Sequence, residues 1–310
     1  MRVLVTGASG FIGKPLCWHL QAKGVELVAV SRSGEPVAGV EQHIAVDLSQ
    51  NSLNAENLQG VDIVYHLAGI AHQSASDVAY QRLNCDAVLT LAKQAEQAGV
   101  KLFVFVSSVR AMGRGPAGLA RTEKQCSEPQ DPYGLSKWHA EQALRERFAG
   151  SDMAVVILRP ALVCAPEAGG NLAKLRAAVQ RGLPRPPDVG SRSVIARSDL
   201  VELLGRVAEQ EWSGVNTYIV ADRRACSFQE IYDFYATAFG VGKRKTLPLW
   251  VWRGFCRVVQ WVQRQPPGNT LYEKLFGYDR YDSHAICWRL DWHPVTSLEE
   301  ALVGTTDTSR

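Results

Sequence analysis

Apolar runs alternate with amphipathic stretches along the first half of the chain. Stretches with apolar residues at helical spacing, residues 79–98 and the segment that follows Gly13, predict helices. Strands that alternate with helices form a parallel sheet covered on both faces. The pattern therefore predicts an α/β fold of the doubly wound, Rossmann type. The apolar runs that predict its strands are residues 2–6, 25–30, 43–46, 61–67, 101–106 and 153–159.

The pattern changes after Pro160, which interrupts the run of the sixth strand. We place a boundary near residue 164, so that residues 1–163 form the Rossmann domain and residues 164–310 mainly form a smaller α+β domain that holds the substrate. Two short apolar segments, residues 194–196 and 215–220, are expected to return to the sheet of the first domain.

Residues 249–264 form an amphipathic helix with a wide apolar face. Arg253, Arg257, Gln260 and Arg264 follow one stripe at helical spacing, and tryptophan, phenylalanine and valine fill most of the rest. Two interpretations stay open. The helix either docks on a membrane surface or partner protein, or packs over the substrate domain, and we favour packing.

Composition narrows the class of protein. With 310 residues, 46% of them hydrophobic and 21% charged, the chain is ordinary globular material. A formal charge of +3 is too small to indicate a nucleic-acid partner, and the basic cluster 243–245 is only three residues long. The seven scattered cysteines, without metal-ligand spacing, favour a reducing cytoplasm and no metal site. A strand from residue 2 leaves no room for a signal peptide, and no apolar run reaches the ~20 residues that span a bilayer, so we expect a soluble cytoplasmic protein.

A glycine-rich loop, Gly7-Ala8-Ser9-Gly10-Phe11-Ile12-Gly13, joins the first strand to the first helix. Gly7 permits the tight turn, Gly10 lets backbone amides approach a pyrophosphate, and Gly13 lets the helix pack against the strand. The N-terminus of the helix would face the anion. A flexible turn is the alternative, but the order of strand, loop and helix favours a dinucleotide-binding site.

The end of the second strand bears on the choice of cofactor. An NAD site usually has a carboxylate there to hold the adenosine ribose, whereas this chain has Ser31-Arg32-Ser33. The guanidinium of Arg32 is suited to the 2′-phosphate of NADP. We therefore favour NADP(H), with NAD(H) as the alternative, because Arg32 is equally consistent with a surface residue and Glu35 is close enough in sequence to reach the ribose.

Two further strand ends are candidate cofactor contacts. Asp47, followed by Leu48, comes directly after the third strand and is placed near the adenine. The next strand ends in Leu67-Ala68-Gly69, whose small residues let a cofactor cross the carboxyl end of the sheet. His66 is interpreted as a packed strand residue.

A phenol and an ammonium lie four residues apart in Tyr133 and Lys137, which puts both on one face of a helix. A neighbouring ammonium lowers the pKa of a phenol from about 10, so Tyr133 is a candidate general acid/base. Alone, such a pair is usually a solvated helix face. Ser108 follows the strand before this helix, where its hydroxyl could hold a substrate oxygen beside Tyr133 or simply cap the strand. The glycine-containing loop 113–128 between them is a candidate lid.

Taken in order, these motifs resemble the extended short-chain dehydrogenase/reductases, and within them the nucleotide-sugar epimerase/dehydratase branch. The resemblance covers nearly the whole chain. It implies hydride transfer at C4 of a nucleoside-diphosphate hexose, homodimers formed through helices such as 79–98 and 133–147, and a substrate-side motif at residues 158–160. The resemblance assigns catalysis to Ser108, Tyr133 and Lys137. In addition to the cofactor contacts already named, it assigns to the cofactor Ser9, Phe11, Ile12, Leu48, Leu67, Asn84, Tyr133 and Lys137. It assigns to the substrate Ser108, Asn171 and Arg192, with Arg192 at the diphosphate.

Departures from the family pattern select among its reactions. The 4,6-dehydratases carry an acidic pair directly after the catalytic serine or threonine, where this chain has Val109 and Arg110, so dehydration is not expected. Met112-Gly113 and Ala71 differ from the housekeeping galactose epimerases. The chain looks more like enzymes of bacterial surface polysaccharides that act on UDP-N-acetylated sugars. Arg32 tips the prediction towards a 4-ketoreductase, with a 4-epimerase as the alternative and a non-catalytic dinucleotide-binding regulator as a third reading.

Overall fold

The computed structural model describes residues 1–71, 75–115, 118–242, 244–262 and 271–304. The irregular elements include a π-helical turn at Arg82–Asp86 and a 3-10 turn at Val109–Met112. The strands are β1 (Arg2–Thr6), β2 (Glu26–Ser31), β3 (Gln42–Ala45), β4 (Ile63–His66), β5 (Leu102–Val106), β6 (Ala154–Pro160), β7 (Leu162–Cys164), β8 (Ser191–Arg192), β9 (Val194–Ala196), β10 (Val215–Val220) and β11 (Tyr278–Asp279). The helices are α1 (Gly13–Ala22), α2 (Asp77–Gln81), α3 (Ala87–Gln97), α4 (Pro132–Phe148), α5 (Gly170–Gln180), α6 (Arg197–Val207), α7 (Phe228–Ala238), α8 (Leu249–Val262), α9 (Leu271–Phe276), α10 (His284–Leu290) and α11 (Leu298–Val303).

Within the described residues, seven strands form one sheet in the order β10-β6-β5-β4-β1-β2-β3. Each neighbouring pair is parallel. The register places Thr6 beside Val30 and beside His66, so the carboxyl ends of β1, β2 and β4 reach the same edge of the sheet. The predicted doubly wound α/β sheet is confirmed, and that edge is where such folds bind ligands.

Helices cover both faces of the sheet. On one face, Leu16 of α1 and Leu204 of α6 are buried against β1. On the other face, Leu91 of α3 and Leu144 of α4 are buried in a second core. Burial on both faces explains why the strands are continuous apolar runs instead of alternating ones.

The second half of the chain sends one strand back to this sheet. β10 pairs with β6 along six residues and forms an edge of the sheet. β9 does not join it, because β7 follows β6 directly and offers its own edge, with which β9 pairs. The expectation for residues 194–196 was therefore wrong. Helices α5, α7 and α11 enclose a separate core around Ile231 and Tyr235, and the boundary near residue 164 stays a prediction.

The predicted helix at 249–264 is present as α8. It packs through Trp252, whose indole contacts the rings of Phe228 and Phe276. Arg264, which would complete the predicted stripe, lies outside the described residues. In the part of the chain that the structure describes, no helix is both long and apolar enough to cross a membrane.

Candidate active site

The glycine loop at the end of β1 has the backbone geometry that a bound pyrophosphate needs. Gly7 has φ +68°, and a Cβ added there would lie 2.8 Å from the amide nitrogen of Ala68. A Cβ at Gly13 would lie 2.1 Å from the carbonyl oxygen of Gly7, so α1 can begin this close to β1 only with glycine. The Gly10 amide donates to the same carbonyl at 2.9 Å and closes the turn.

The start of α1 fits an anion. Its first turn contains no acidic residue, and Ile12 at the N-cap supplies no side-chain acceptor. Uncapped N–H groups and the positive end of the helix dipole favour a phosphate at this position. Next to it, the ring of Phe11 lies 4.9 Å beneath the guanidinium of Arg197, and Ser9 is exposed. The loop therefore fits the dinucleotide that its sequence predicts.

Arg32 and Asp47 lie close together beyond β2 and β3. The Oδ1 atom of Asp47 accepts hydrogen bonds from the amide and the hydroxyl of Ser49, at 2.9 and 2.7 Å. These bonds, with a smaller contribution from the Arg32 cation, hold the pKa of Asp47 below its usual value. Arg32 is exposed, and Leu48 packs partly into the core beside Asp47. The adenosine end of the site thus offers both a cation and a carboxylate.

Asn84 joins three elements at the edge of the sheet. The predicted single helix 79–98 is divided into α2, a π-helical turn and α3, and Asn84 is buried in that turn. Its Oδ1 accepts from the Ile70 amide at 2.8 Å, and its Nδ2 donates to Ser136 Oγ at 3.1 Å. A Cβ at Gly69 would lie 2.9 Å from Asn84 Oδ1 and 3.4 Å from Lys137 Nζ. Glycine after β4 therefore leaves open the space in front of both polar groups.

Ser108 and Tyr133 meet at the carboxyl edge, where their positions in the sequence put them. The Ser108 side chain caps the 3-10 turn after β5, and its oxygen accepts from the Arg110 amide at 3.2 Å. The same hydroxyl lies beside the Tyr133 phenol, near enough to lower its pKa. Asp131 caps α4 by accepting from the Gly134 amide at 3.0 Å, which fixes the turn that carries Tyr133.

Lys137 is held by the backbone at the end of β5. Lys137 is buried, and its Nζ donates to the carbonyl of Val106 at 3.0 Å and lies 4.6 Å from the centre of the Phe105 ring. Burial lowers the pKa of Lys137 to about 8, although the Glu141 carboxylate opposes that shift. The ammonium is bonded to the backbone at the end of β5, and its effect on the pKa of Tyr133 stays a prediction; a further cation also acts on Tyr133.

Arg110 supplies that cation. Burial raises the pKa of Tyr133, while the neighbouring Ser108 hydroxyl and the positive charge of Arg110 act in the opposite direction. Arg110 is held by Asp131, with 3.0 Å between the guanidinium and the carboxylate. Arg110, the residue that stands where dehydratases have an acid, therefore acts on this pKa, and the expected effect of Lys137 stays a prediction.

This pair gives opposite predictions for the pH dependence. Arg110→Gln removes a cation that stabilises the phenolate, so the pKa of Tyr133 should rise. Asp131→Asn removes a carboxylate that destabilises it, so the pKa should fall, and asparagine keeps the helix cap. The pH profile of kcat/KM should show its tyrosine-dependent limb displaced in opposite directions in the two variants. Displacement of both in the same direction would contradict this account.

A buried ionic network lies beneath the catalytic helix, and the sequence did not reveal it. Glu141 accepts from the Ser107 hydroxyl at 2.6 Å and from Arg159 at 2.5 Å, and both charged side chains are at most 1% exposed. Arg159 belongs to the predicted substrate-side motif 158–160, and its guanidinium is fixed here by Glu141. The available signal was the spacing of Tyr133, Lys137 and Glu141, which places the three on one side of α4.

Hydrogen bonds hold the candidate lid in its described parts, residues 113–115 and 118–128. The buried Arg121 donates to the carbonyls of Gly113, Met112 and Gln125, at 2.7, 2.6 and 2.6 Å. The Arg121 backbone also bonds Arg280 and Asp282. A guanidinium that satisfies three carbonyls holds this loop in place here, and the lid interpretation stays a prediction.

Beside Ser108, the predicted substrate residues are Asn171 and Arg192, which lie in the second half of the chain. Asn171 is exposed near the start of α5. Arg192 donates to the carbonyls of Lys274 and Leu275, at 2.6 and 3.1 Å, and burial lowers its pKa. These bonds direct the guanidinium to the end of α9, so its assignment to a diphosphate stays a prediction. His66 is buried, hydrogen-bonds Thr6 at 2.9 Å and has its pKa lowered to about 3, as a packed neutral histidine would.

Residues 3–220 match the model of the NAD dependent epimerase/dehydratase family. This chain belongs to that family. The resemblance inferred from the motifs is thereby confirmed, and the chain is an NAD-dependent enzyme with a Rossmann-type sheet.

Two members of the family and one solved structure show how far the likeness extends. The chain is 28% identical over 317 residues to the UDP-glucose 4-epimerase of Vibrio cholerae, which covers 98% of this chain and 94% of that protein. It is 25% identical over 236 residues to the N-acetyl-alpha-D-glucosaminyl-diphospho-ditrans,octacis-undecaprenol 4-epimerase of Escherichia coli O157:H7. That alignment covers 72% of this chain and 67% of the relative. The structure of MoeE5 in complex with UDP-glucuronic acid and NAD is similar, with a TM-score of 0.78 and 27% sequence identity. The superposition covers 98% of this chain and 97% of the MoeE5 chain.

Proposed function

We propose that this family member transfers a hydride at C4 of a UDP-linked, N-acetylated hexose, and that its net reaction is the reduction of a 4-keto sugar. The observation that carries the proposal is that the hydroxyls of Ser108 and Tyr133 lie together at the carboxyl edge of the sheet, close enough for Ser108 to act on the pKa of the phenol. Both hydroxyls lie at the edge where the glycine loop would hold the dinucleotide.

The chain's own residues move one proton. Ser108 would hold the C4 oxygen of the substrate, and Tyr133 would donate its phenolic proton to that oxygen. When bound, the nicotinamide supplies or accepts the hydride. The pKa of Tyr133 is raised by burial, which keeps the phenol protonated near neutral pH and suits it to act as an acid. Lys137 and Asn84, either side of the space in front of Gly69, would hold the nicotinamide ribose.

Elimination of water is not part of the proposal. A dehydratase needs an acid beside the serine, whereas Val109 is buried and Arg110 is paired with Asp131. A cation held in this place offers no proton for a leaving hydroxyl at neutral pH.

Epimerisation at C4 is the second candidate, and the comparisons favour it. The relative from Vibrio cholerae is a UDP-glucose 4-epimerase, and the MoeE5 structure contains NAD. An epimerase keeps its cofactor and returns the same hydride, while a reductase must exchange a spent one. Arg32 at the end of β2 supports reduction with NADPH, because no carboxylate occupies that strand end.

An assay with purified protein separates the candidates. A reductase should oxidise one equivalent of NADPH or NADH for each UDP-4-keto-6-deoxy sugar consumed. An epimerase should convert UDP-GlcNAc and UDP-GalNAc into one another with no net change in absorbance of the reduced nicotinamide. Absence of both reactions, with the dinucleotide bound, would point to the non-catalytic regulator.

Cofactor choice has its own prediction. If Arg32 binds the 2′-phosphate, Arg32→Ala should weaken NADPH binding by about tenfold or more, because a charge-assisted hydrogen bond contributes roughly 1.5–3 kcal/mol. The same substitution should leave NADH binding unchanged, because NADH has no 2′-phosphate. Calorimetric titration with both cofactors measures this. Arg224→Ala, which removes an exposed arginine paired with Glu230, is the matched control. An equal loss for both cofactors, or no loss, would leave NAD as the physiological cofactor.

We infer in addition a homodimer formed through α3 and α4, as the family resemblance suggests. Light scattering on the intact chain would give twice the monomer mass if this holds, and the monomer mass if it does not.

A further inference from the structure

A second apolar face lies on α8, opposite the face that packs into the protein. Trp252 points inward and is 3% exposed. Trp250, Val258 and Trp261 recur at helical spacing on the other side, and they are 74%, 61% and 81% exposed. Phe255, beside them, is 47% exposed. Contiguous exposed apolar residues of this size, unlike scattered ones, mark an interaction site.

The segment that contains α8 is strongly basic. From Phe234 to Tyr272 the sequence contains no aspartate or glutamate, whereas the formal charge of the whole chain is only +3. Arg253 and Arg257, one helical turn apart, are exposed along an edge of the apolar face. The basic residues of this segment are Lys243, Arg244, Lys245, Arg253, Arg257 and Arg264.

We propose that α8 docks on an anionic lipid membrane and lies in the plane of its surface. Trp250, Val258 and Trp261 would enter the boundary between headgroups and acyl chains, and Arg253 and Arg257 would contact lipid phosphates. Interfacial helices combine tryptophan with lysine or arginine in this way. With 14 residues α8 is too short to span a bilayer, which takes about 20.

Charge distinguishes this occupant from a second copy of the chain. A two-fold interface through this face would bring the arginines of one copy against those of the other. Like charges in contact disfavour such an interface. An anionic leaflet presents the opposite charge over an extended plane, which matches an apolar strip with cations at its edge. Docking of α8 would place the proposed reaction at a membrane surface, although the reaction itself requires no membrane.

Flotation with vesicles tests the proposal on the full chain. The wild-type protein should float with vesicles that contain phosphatidylglycerol and phosphatidylcholine, and much less with phosphatidylcholine alone. The double variant Trp250→Ser, Trp261→Ser should bind roughly a hundredfold more weakly, because two large apolar side chains are lost. Arg257→Gln should weaken binding to the anionic vesicles by about fivefold, and high salt should do the same.

The matched control is Trp288→Ser, which removes a tryptophan of similar exposure, 78%, on α10. This variant should float like the wild type. The proposal is overturned if the wild type does not float with anionic vesicles, or if Trp288→Ser loses as much binding as the double variant. It is also overturned if the double variant keeps its vesicle binding while its oligomeric mass falls, since a second copy would then occupy the face.

Discussion

Replacing Tyr133 with phenylalanine is expected to lower kcat by about 10²–10⁴-fold, the range in which general acid–base catalysis contributes. The substitution removes the hydroxyl beside Ser108 and keeps the ring, which contacts the ring of Tyr80 at 6.1 Å between centroids. Dinucleotide affinity should stay close to that of the wild type, because the glycine loop is untouched. Single-turnover kinetics and a binding titration on the same preparation measure the two quantities.

Tyr80→Phe is the control for this prediction. It likewise removes a phenol near the site and preserves the ring contact, so its kcat should fall by less than about tenfold. A Tyr133→Phe enzyme that keeps its kcat within tenfold of the wild type would show that another group moves the proton. Equal losses in both variants would mean that loss of either phenol near the site lowers kcat, and Tyr133 would not be identified as the proton donor.

Glu141→Gln is expected to give the largest loss of stability, about 3–5 kcal/mol of the free energy of unfolding. The substitution keeps the shape of the side chain and removes its charge, which leaves the buried guanidinium of Arg159 without its carboxylate. Since domains of this kind unfold with about 5–15 kcal/mol in total, the loss takes a large part of the stability. Urea unfolding followed by circular dichroism measures it.

An exposed pair on another helix provides the comparison. Glu202 binds Arg206 one turn away on α6 at 3.0 Å, and both side chains are more than a third exposed. Glu202→Gln should therefore change the free energy of unfolding by less than about 1 kcal/mol. Similar small effects in both variants would mean that water or neighbouring groups compensate the buried charge of Arg159.

The strands of the main sheet could be predicted because burial on both faces makes each of them a continuous apolar run. Residues 2–6 and 101–106 are examples, and Ser108, which follows the second run, could be placed beside Tyr133 at one edge of the sheet. The position of β9 could not be predicted in this way. A three-residue apolar segment fits any open strand edge, and only the three-dimensional position of β7 selects its partner.

The burial of charged residues at the site could not be predicted from the sequence. Glu141 follows Lys137 at the spacing of a solvated helix face, so its charge indicated solvent, while its partner Arg159 is hidden in an apolar run. The sequence gives the helix face on which Lys137 lies but not the direction in which its long side chain turns. The Val106 carbonyl decides that direction.

The pairing of β10 with β6 has a consequence for synthesis of the chain. All seven residues of β6 are buried, yet its outer neighbour is made only when the ribosome reaches residues 215–220. Until then the nascent chain carries a buried, mostly apolar strand with an open edge, the kind that pairs with other chains. Any fragment that stops before residue 215 keeps that edge, so we expect such fragments to aggregate more readily than the whole chain.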